Sequence, residues 1–427
     1  MNTLKVGVAK TVITPPVGTR LCGYGFRQEP STGVLDELYA RAIVFENGST
    51  KLALVVCDLI WVPKDIVARS RRRIKEVCGI DESNVMIAGI HTHTGPDLDQ
   101  CHPSYLDCVV EKICGTVAAA LHRMTEARIG WAQGSCLAGV NRRLPNAPHG
   151  VYNLYSDPDG IFDPTVAVLK IDGLSGKEMG VLFNYACHPV CLGWKELNIS
   201  KDFLHFTHDV LEKAGDSNYV SFFLQGCCGN VNPRWQWDRP DLSPAPPPAW
   251  PEEFARRLAE TSRIGQLLGA EVLKTLTSIT RYETDVELGA SSRKVTLPVR
   301  KDMPDQMKKV IASMTGNSQK RPGQQGDAYH QVAAGKNEFE TEVQVFRIGD
   351  CVLVGLPGEV FIDYQIELRK RIKSPMVLVS ELANDAIYYV PAAYAYEQGG
   401  YEVRVSMLPP EAGKLLVDSA VAQAALL

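Results

Sequence analysis

Short apolar runs, each ending in a chemically able residue, constrain this chain more than any other feature. "LALVVCDL" (Leu52 to Leu59), "NVMIAGI" (Asn84 to Ile90), "GVLFNYA" (Gly180 to Ala186) and "YVSFFLQG" (Tyr219 to Gly226) are short and rich in β-branched residues. Such runs read as buried strands rather than helices. "VQVFRIGDCVLVGLP" (Val343 to Pro357) reads as a hairpin turning at Gly349-Asp350, and "MVLVSEL" (Met376 to Leu382) as another strand. Helical patterns lie between them: "PKDIVARSRRRIKEVC", "YLDCVVEKICGTVAAALHRM" and the segment from Phe254 to Leu276. Strands alternating with helices indicate an α/β protein with a large mixed β-sheet core flanked by helices.

At 427 residues the chain is long enough for one large domain, with two lobes expected at 1–278 and 285–427. A formal net charge of -4 gives no general reason to bind nucleic acid. The basic run "ARSRRRIKEV" reads as the solvated face of a helix. No secretory leader pattern opens the sequence, and no apolar stretch approaches the length of a membrane span. The 12 cysteines include no C-x-x-C pair, so they read as reduced, mostly buried thiols, and a cytoplasmic location is expected. A proline- and tryptophan-rich stretch, Trp235 to Phe254, reads as a loop, either a functional rim or lid or a surface loop packed on the body, and Thr315 to Gln331 as a polar loop with short helical flanks.

Polar residues collect after the strand candidates. Asp58 closes the first, His91 and His93 follow the second, His188 the third, "CCGNVNPRW" the fourth, Glu359 the hairpin, and "ANDAIYYVPAAYAYEQGGYE" the last. Sheets of this kind bind ligands outside strand ends, so several coincidences argue for one site. Imidazoles with a carboxylate suit zinc. Residues one apart on an extended segment point to opposite sides, so His91 and His93 are not both expected to ligate unless the backbone turns between them. Singly, each histidine would more often be a packed, hydrogen-bonded residue, and Glu359 a solvated charge.

"HTHTGP", "NYACHPV…ISKDF", "GCCGNVNP", "LPGE", "NDAIYYVPAAYAYEQGGYE" and the early "GYGFRQEPSTGVLDELYARAIVF" occur in the order found in the neutral (non-lysosomal) ceramidase family. The chain resembles a distant branch of that family, from about Gly7 to about Glu402, without the signal peptide and C-terminal immunoglobulin-like domain of its secreted members. The resemblance implies a neutral-ceramidase-like catalytic domain with zinc held by His91, His188, Glu359 and Tyr389. It also implies His93 as a hydrogen-bonding or proton-transfer group, with Arg142 and Tyr401 stabilising an oxyanion. Asp58 and Asp202 fall on family positions, where supporting hydrogen bonds are expected. Asn232 stands where the family has a serine near the substrate carbonyl; it can donate a hydrogen bond but cannot be a nucleophile. Asn232, Asp58 and Trp235 are the expected substrate contacts.

The expectation is a zinc-dependent hydrolase in which activated water attacks an amide, or an ester or lactone, of a small polar acylated substrate. The alternative is a degenerate zinc-containing protein that binds a ligand without turnover. A metallo-β-lactamase motif fails because Gly95 and Pro96 stand where it needs acidic and histidine residues. An amidohydrolase barrel would need eight regular strand–helix units, which the pattern does not show. "GLSGK" is not a phosphate loop. Oligomeric state is not legible.

Overall fold

A computed structural model describes residues 3–145, 153–234, 252–315 and 327–427. The apolar runs form two sheets. The larger has eight strands in the order Val220–Gln225, Glu178–Tyr185, Thr165–Gly173, Thr125–Ser135, Lys5–Val12, Tyr39–Asn47, Thr50–Cys57, Val85–Gly89. The smaller runs Leu288–Pro298, Glu338–Ile348, Cys351–Gly355, Met376–Ser380. The hairpin of Glu338–Ile348 with Cys351–Gly355 turns at Gly349, in the left-handed region at φ 59°.

Most pairings are antiparallel, and the parallel ones matter for function. Thr50–Cys57 pairs in parallel with Val85–Gly89, Glu178–Tyr185 with Val220–Gln225, and Cys351–Gly355 with Met376–Ser380. Parallel neighbours need a crossover, here supplied by the helices Lys64–Cys78, Leu204–Ala214 and Ile362–Arg371 respectively. Three strand–helix–strand units result, and each delivers the C-terminal ends of its strands to the same region.

The segment after Met376–Ser380 joins the two edges of the large sheet. Glu381 N–H donates to Gln225 O (2.9 Å) on one edge. On the other edge Gly89 N–H donates to Leu382 O (3.3 Å), Ala383 bridges Ala88, and Asn384 exchanges bonds with Ile87 at 2.8 and 2.9 Å. Unpaired edge groups buried in the interior would be costly, so this stitch fixes how the three units meet. Phe45, Phe183 and Phe222 from the large sheet and Phe346, Leu353 and Leu378 from the small one belong to one apolar cluster.

The basic run departs from its expected role. In the helix Lys64–Cys78, Arg72 is exposed, but Arg71 is buried and forms a two-pronged ion pair with Glu342 (2.7 and 2.9 Å). That arginine fastens the helix to the second sheet, a partner 271 residues away that helical periodicity does not reveal. All twelve cysteines are free thiols. The helices Asp305–Thr315 and Ala328–Ala333 flank the polar loop, whose middle lies outside the described residues, as does most of the tryptophan-rich stretch.

Candidate active site

The segment "HTHTGP" leaves the strand Val85–Gly89 through a residue in the left-handed region: His91 has φ 70°. For a residue with a Cβ this conformation costs on the order of 1–2 kcal/mol. The turn corrects the alternation expected of an extended H-x-H. The His91 and His93 rings lie edge-on with centroids 4.8 Å apart, and their Nε2 atoms are 3.4 Å apart. His93 is seated by the loop Cys22–Arg27. A Cβ on Gly23 would fall 2.5 Å from His93 Cγ, and Tyr24 packs edge-on against the imidazole at 5.1 Å. Arg27 Nη2 donates to His93 O at 2.7 Å. The Nδ1 of His93 is buried and has no hydrogen-bond partner among the described residues.

His188 follows Glu178–Tyr185 and is fully buried. Its Nδ1 faces Cys228 O (2.6 Å) and Val231 O (3.1 Å), while His91 Nδ1 faces Ile60 O (3.3 Å). Carbonyls accept only, so each Nδ1 carries the proton and each Nε2 presents a lone pair. Both Nε2 atoms lie near one carboxylate oxygen: Glu359 Oε2 is 3.2 Å from His91 Nε2 and 3.5 Å from His188 Nε2, which also faces Arg142 Nη1 at 3.4 Å. A two-residue parallel ladder sets Glu359 directly opposite Tyr389. Gly229 permits the "GCCGN" turn beneath them, since a Cβ there would sit 2.7 Å from Glu359 O.

Burial and the nearby Arg142 charge pull His188 down to about 3, so its imidazole is neutral. Burial and the neighbouring histidines likewise hold His93 well below the usual range. Burial works to raise Glu359, but positive charge shared with the facing histidines, a proton on an Nε2 or a cation in its place, keeps its carboxyl well below the usual range. The centre therefore gathers acceptors, a carboxylate and two Nε2 lone pairs, which fits a bound cation and zinc in particular. Cys228 Sγ also lies within 4.8 Å of ring nitrogens of His91 and His188. Glu359 is the better third partner, because the Cys228 thiol already donates to Glu381 Oε1 at 2.8 Å.

Arg142, on the strand Gly139–Leu144, closes one side of the cluster. Its guanidinium donates to Glu402 Oε1 (3.0 Å), Asn232 Oδ1 (3.1 Å) and Tyr389 OH (3.0 Å). Burial would lower its pKa, but Tyr389 and Glu402 raise it, so the charge is permanent. Tyr401 meets Tyr389 edge-on at 5.7 Å, and burial pushes its phenol up to about 12. Burial raises Tyr389 further. Both are protonated donors at neutral pH unless a cation intervenes.

The structure thus brings His91, His93, His188, Glu359, Tyr389, Arg142, Tyr401 and Asn232 together. Asp58 is a correction to the expected substrate contacts. It is fully buried, receives Arg41 Nη1 at 2.6 and 2.7 Å and Tyr39 N–H at 2.9 Å, and so serves to neutralise a core arginine. Trp235 lies outside the described residues. Asp202 accepts backbone N–H bonds from Cys191, Leu192 and Phe203, a loop-bracing role. The sequence reading missed Glu402, which binds both Arg142 and Arg143 while fully buried, and Glu381. Tyr401-Glu402 lies in a noticed motif, but its arginine partners are about 260 residues away.

Residues 4–239 match the family model for the N-terminal part of neutral/alkaline non-lysosomal ceramidases. The chain belongs to that ceramidase family. It is a family of hydrolases acting on amide bonds. The neutral ceramidase of Pseudomonas aeruginosa is 23% identical over 98% of this chain and 72% of its own length. That of Mycobacterium tuberculosis is 23% identical over 90% of this chain and 70% of its own. The crystal structure of the Pseudomonas aeruginosa neutral ceramidase superposes with a TM-score of 0.78 at 21% identity, covering 100% of this chain and 75% of that one. A ceramidase complexed with C2 gives the same TM-score at 19% identity. The shared fold is the ceramidase one, an α/β architecture built on a large mixed sheet.

Proposed function

We propose that the chain is a zinc-dependent hydrolase of N-acyl amides, with His91, His188, Glu359 and Tyr389 as the zinc ligands. The observation that supports this most is the convergence of two Nε2 atoms on the Glu359 carboxylate at 3.2 and 3.5 Å, in a buried site beside a phenol. Zinc, when bound, supplies Lewis acidity and a water acidic enough to ionise at about pH 7. Around it, this chain's residues divide the remaining work. Arg142 holds the Tyr389 oxygen at 3.0 Å and favours its ionised form. Arg142 and the Tyr401 hydroxyl stabilise the charge that grows on the carbonyl oxygen, each such donor being worth about 3 kcal/mol. His93, whose Nε2 faces the cluster 3.4 Å from His91 Nε2, takes the proton of the attacking water and returns it to the departing amine. Asn232 orients Arg142, which accounts for an amide where a nucleophile is not needed.

The substrate class follows from the surroundings of His93 and from the named relatives, which are ceramidases. Rings lead outward from His93 through Tyr24 to Phe26 (6.0 Å from Tyr24) and on to Trp194 (5.5 Å from Phe26). Phe26 and Trp194 are 65% and 47% exposed, an apolar wall beside the proton-transfer group. Such a wall suits an apolar acyl chain better than the small polar group expected from the sequence. The test is hydrolysis of a panel holding ceramide, short N-acyl amines, esters and lactones. Amide cleavage that a chelator abolishes, zinc restores and His188→Ala eliminates in a folded protein is expected. Tight ligand binding with no turnover on any amide would instead establish the non-enzymatic alternative.

A further inference from the structure

Glu381 lies fully buried at the point where the third strand–helix–strand unit is stitched between the two edges of the large sheet. Its Oε2 accepts the backbone N–H of Val360 (2.8 Å) and of Cys228 (3.1 Å). Its Oε1 accepts the Cys228 thiol at 2.8 Å. Each partner adjoins the histidine–carboxylate cluster. Val360 immediately follows Glu359, and the Cys228 carbonyl receives His188 Nδ1 at 2.6 Å. The stitch itself does not need this carboxyl, because backbone bonds already make it: Glu381 N–H to Gln225 O and Ala383 N–H to Leu356 O, both 2.9 Å. The side chain is spent instead on the loops that carry Glu359 and orient His188.

Cys228 adds a second reason. Its sulfur lies within 4.8 Å of ring nitrogens of both histidines, and a thiolate there would compete with the carboxylate for zinc. We propose that Glu381 is a positioning residue of this centre: it locks the backbone behind Glu359 and His188 and keeps the Cys228 sulfur turned out of the ligand set. The inference rests on the zinc reading given above. Groups that orient metal ligands typically alter affinity about 10- to 100-fold when removed.

The test compares Glu381→Met, which fills the volume without accepting hydrogen bonds, with Glu381→Gln, whose amide oxygen keeps both backbone bonds. Zinc affinity is measured by competition with a chromophoric chelator, and the absorption spectrum is recorded on the cobalt(II)-loaded full chain. Expected for Glu381→Met is an affinity about 10-fold or more below the parent, with a thiolate-to-cobalt charge-transfer band that the parent lacks. Glu381→Gln keeps the backbone bonds but sets an NH2 donor where Oε1 accepts the Cys228 thiol, so its affinity should stay near the parent while the thiolate band appears. Unchanged affinity in Glu381→Met, or a cobalt spectrum without the thiolate band, overturns the proposal. Should Glu381→Met fail to fold, Glu381→Gln decides alone: a thiolate-to-cobalt band supports the role, and a spectrum and affinity both equal to the parent's overturn it. A parent that takes up no zinc would sink the zinc reading itself, whereas a zinc-binding parent matched by Glu381→Met sinks only the role of Glu381.

Discussion

Replacing Glu402 with glutamine probes how charge is balanced at this site. Glu402 is fully buried between Arg142 and Arg143, whose side chains are 5% and 3% exposed. Its two oxygens take Arg142 Nε at 3.0 Å and Arg143 Nη1 at 2.7 Å. Glutamine preserves the shape but removes the charge, and its NH2 must face one guanidinium, donor against donor. Removing one partner of a buried ion pair costs about 3–5 kcal/mol. Arg142 keeps Asn232 and Tyr389, and Arg143 keeps Gly399 O (2.8 Å) and Gln398 (3.2 Å), so the lower end, about 3 kcal/mol, is expected. Urea unfolding followed by tryptophan fluorescence reads this directly. Arg142 also positions the Tyr389 oxygen, so kcat/KM should fall about 100-fold, close to the same energy expressed as a barrier. A variant within about 1 kcal/mol of the parent and equally active would refute the reasoning, since surface-like pairs behave that way.

Gly23→Ala should cripple turnover through His93: its φ is +99° and the new Cβ would meet the imidazole at 2.5 Å, so kcat should drop about tenfold with about 2 kcal/mol of lost stability. Parent-like kcat at saturating substrate would show that His93 has no fixed seat. Asp202 gives a pH signature. Burial outweighs its three backbone N–H donors and pushes the carboxyl up to about 6 from 3.8. Its folded-state pKa is raised, so its contribution is fully present below about pH 4 and is lost as pH rises through about 6, a change of about 3 kcal/mol. Urea titrations should therefore show the parent losing that much against Asp202→Asn between those limits, and a flat difference would contradict the assignment.

What was legible in the sequence was whatever local pattern controls. Length and β-branched content marked the strands that carry the site, and the hairpin turn at Gly349 followed from its Gly-Asp. The resemblance carried His91, His188, Glu359, Tyr389, Arg142 and Tyr401 to one place, because strand ends are where such a sheet presents side chains. The Arg41–Asp58 pair was readable in principle: the hairpin Tyr39–Asn47 and Thr50–Cys57 sets Arg41 opposite Val56, two residues before Asp58. Other features depend on contacts that periodicity does not encode. The left-handed turn at His91 is imposed by its surroundings against the residue's own preference, and it alone brings the two imidazoles together. Arg71 with Glu342, Arg142 with Glu402, and Glu381 with Val360 and Cys228 become neighbours only once the three units have docked.

The most direct test of the central claim is zinc per chain, measured by elemental analysis on tag-free protein together with folded His91→Ala and His188→Ala variants. About one zinc in the parent, lost from both variants, is the expected result for two Nε2 atoms beside one carboxylate. A folded parent that contains no zinc and refuses added zinc would contradict it.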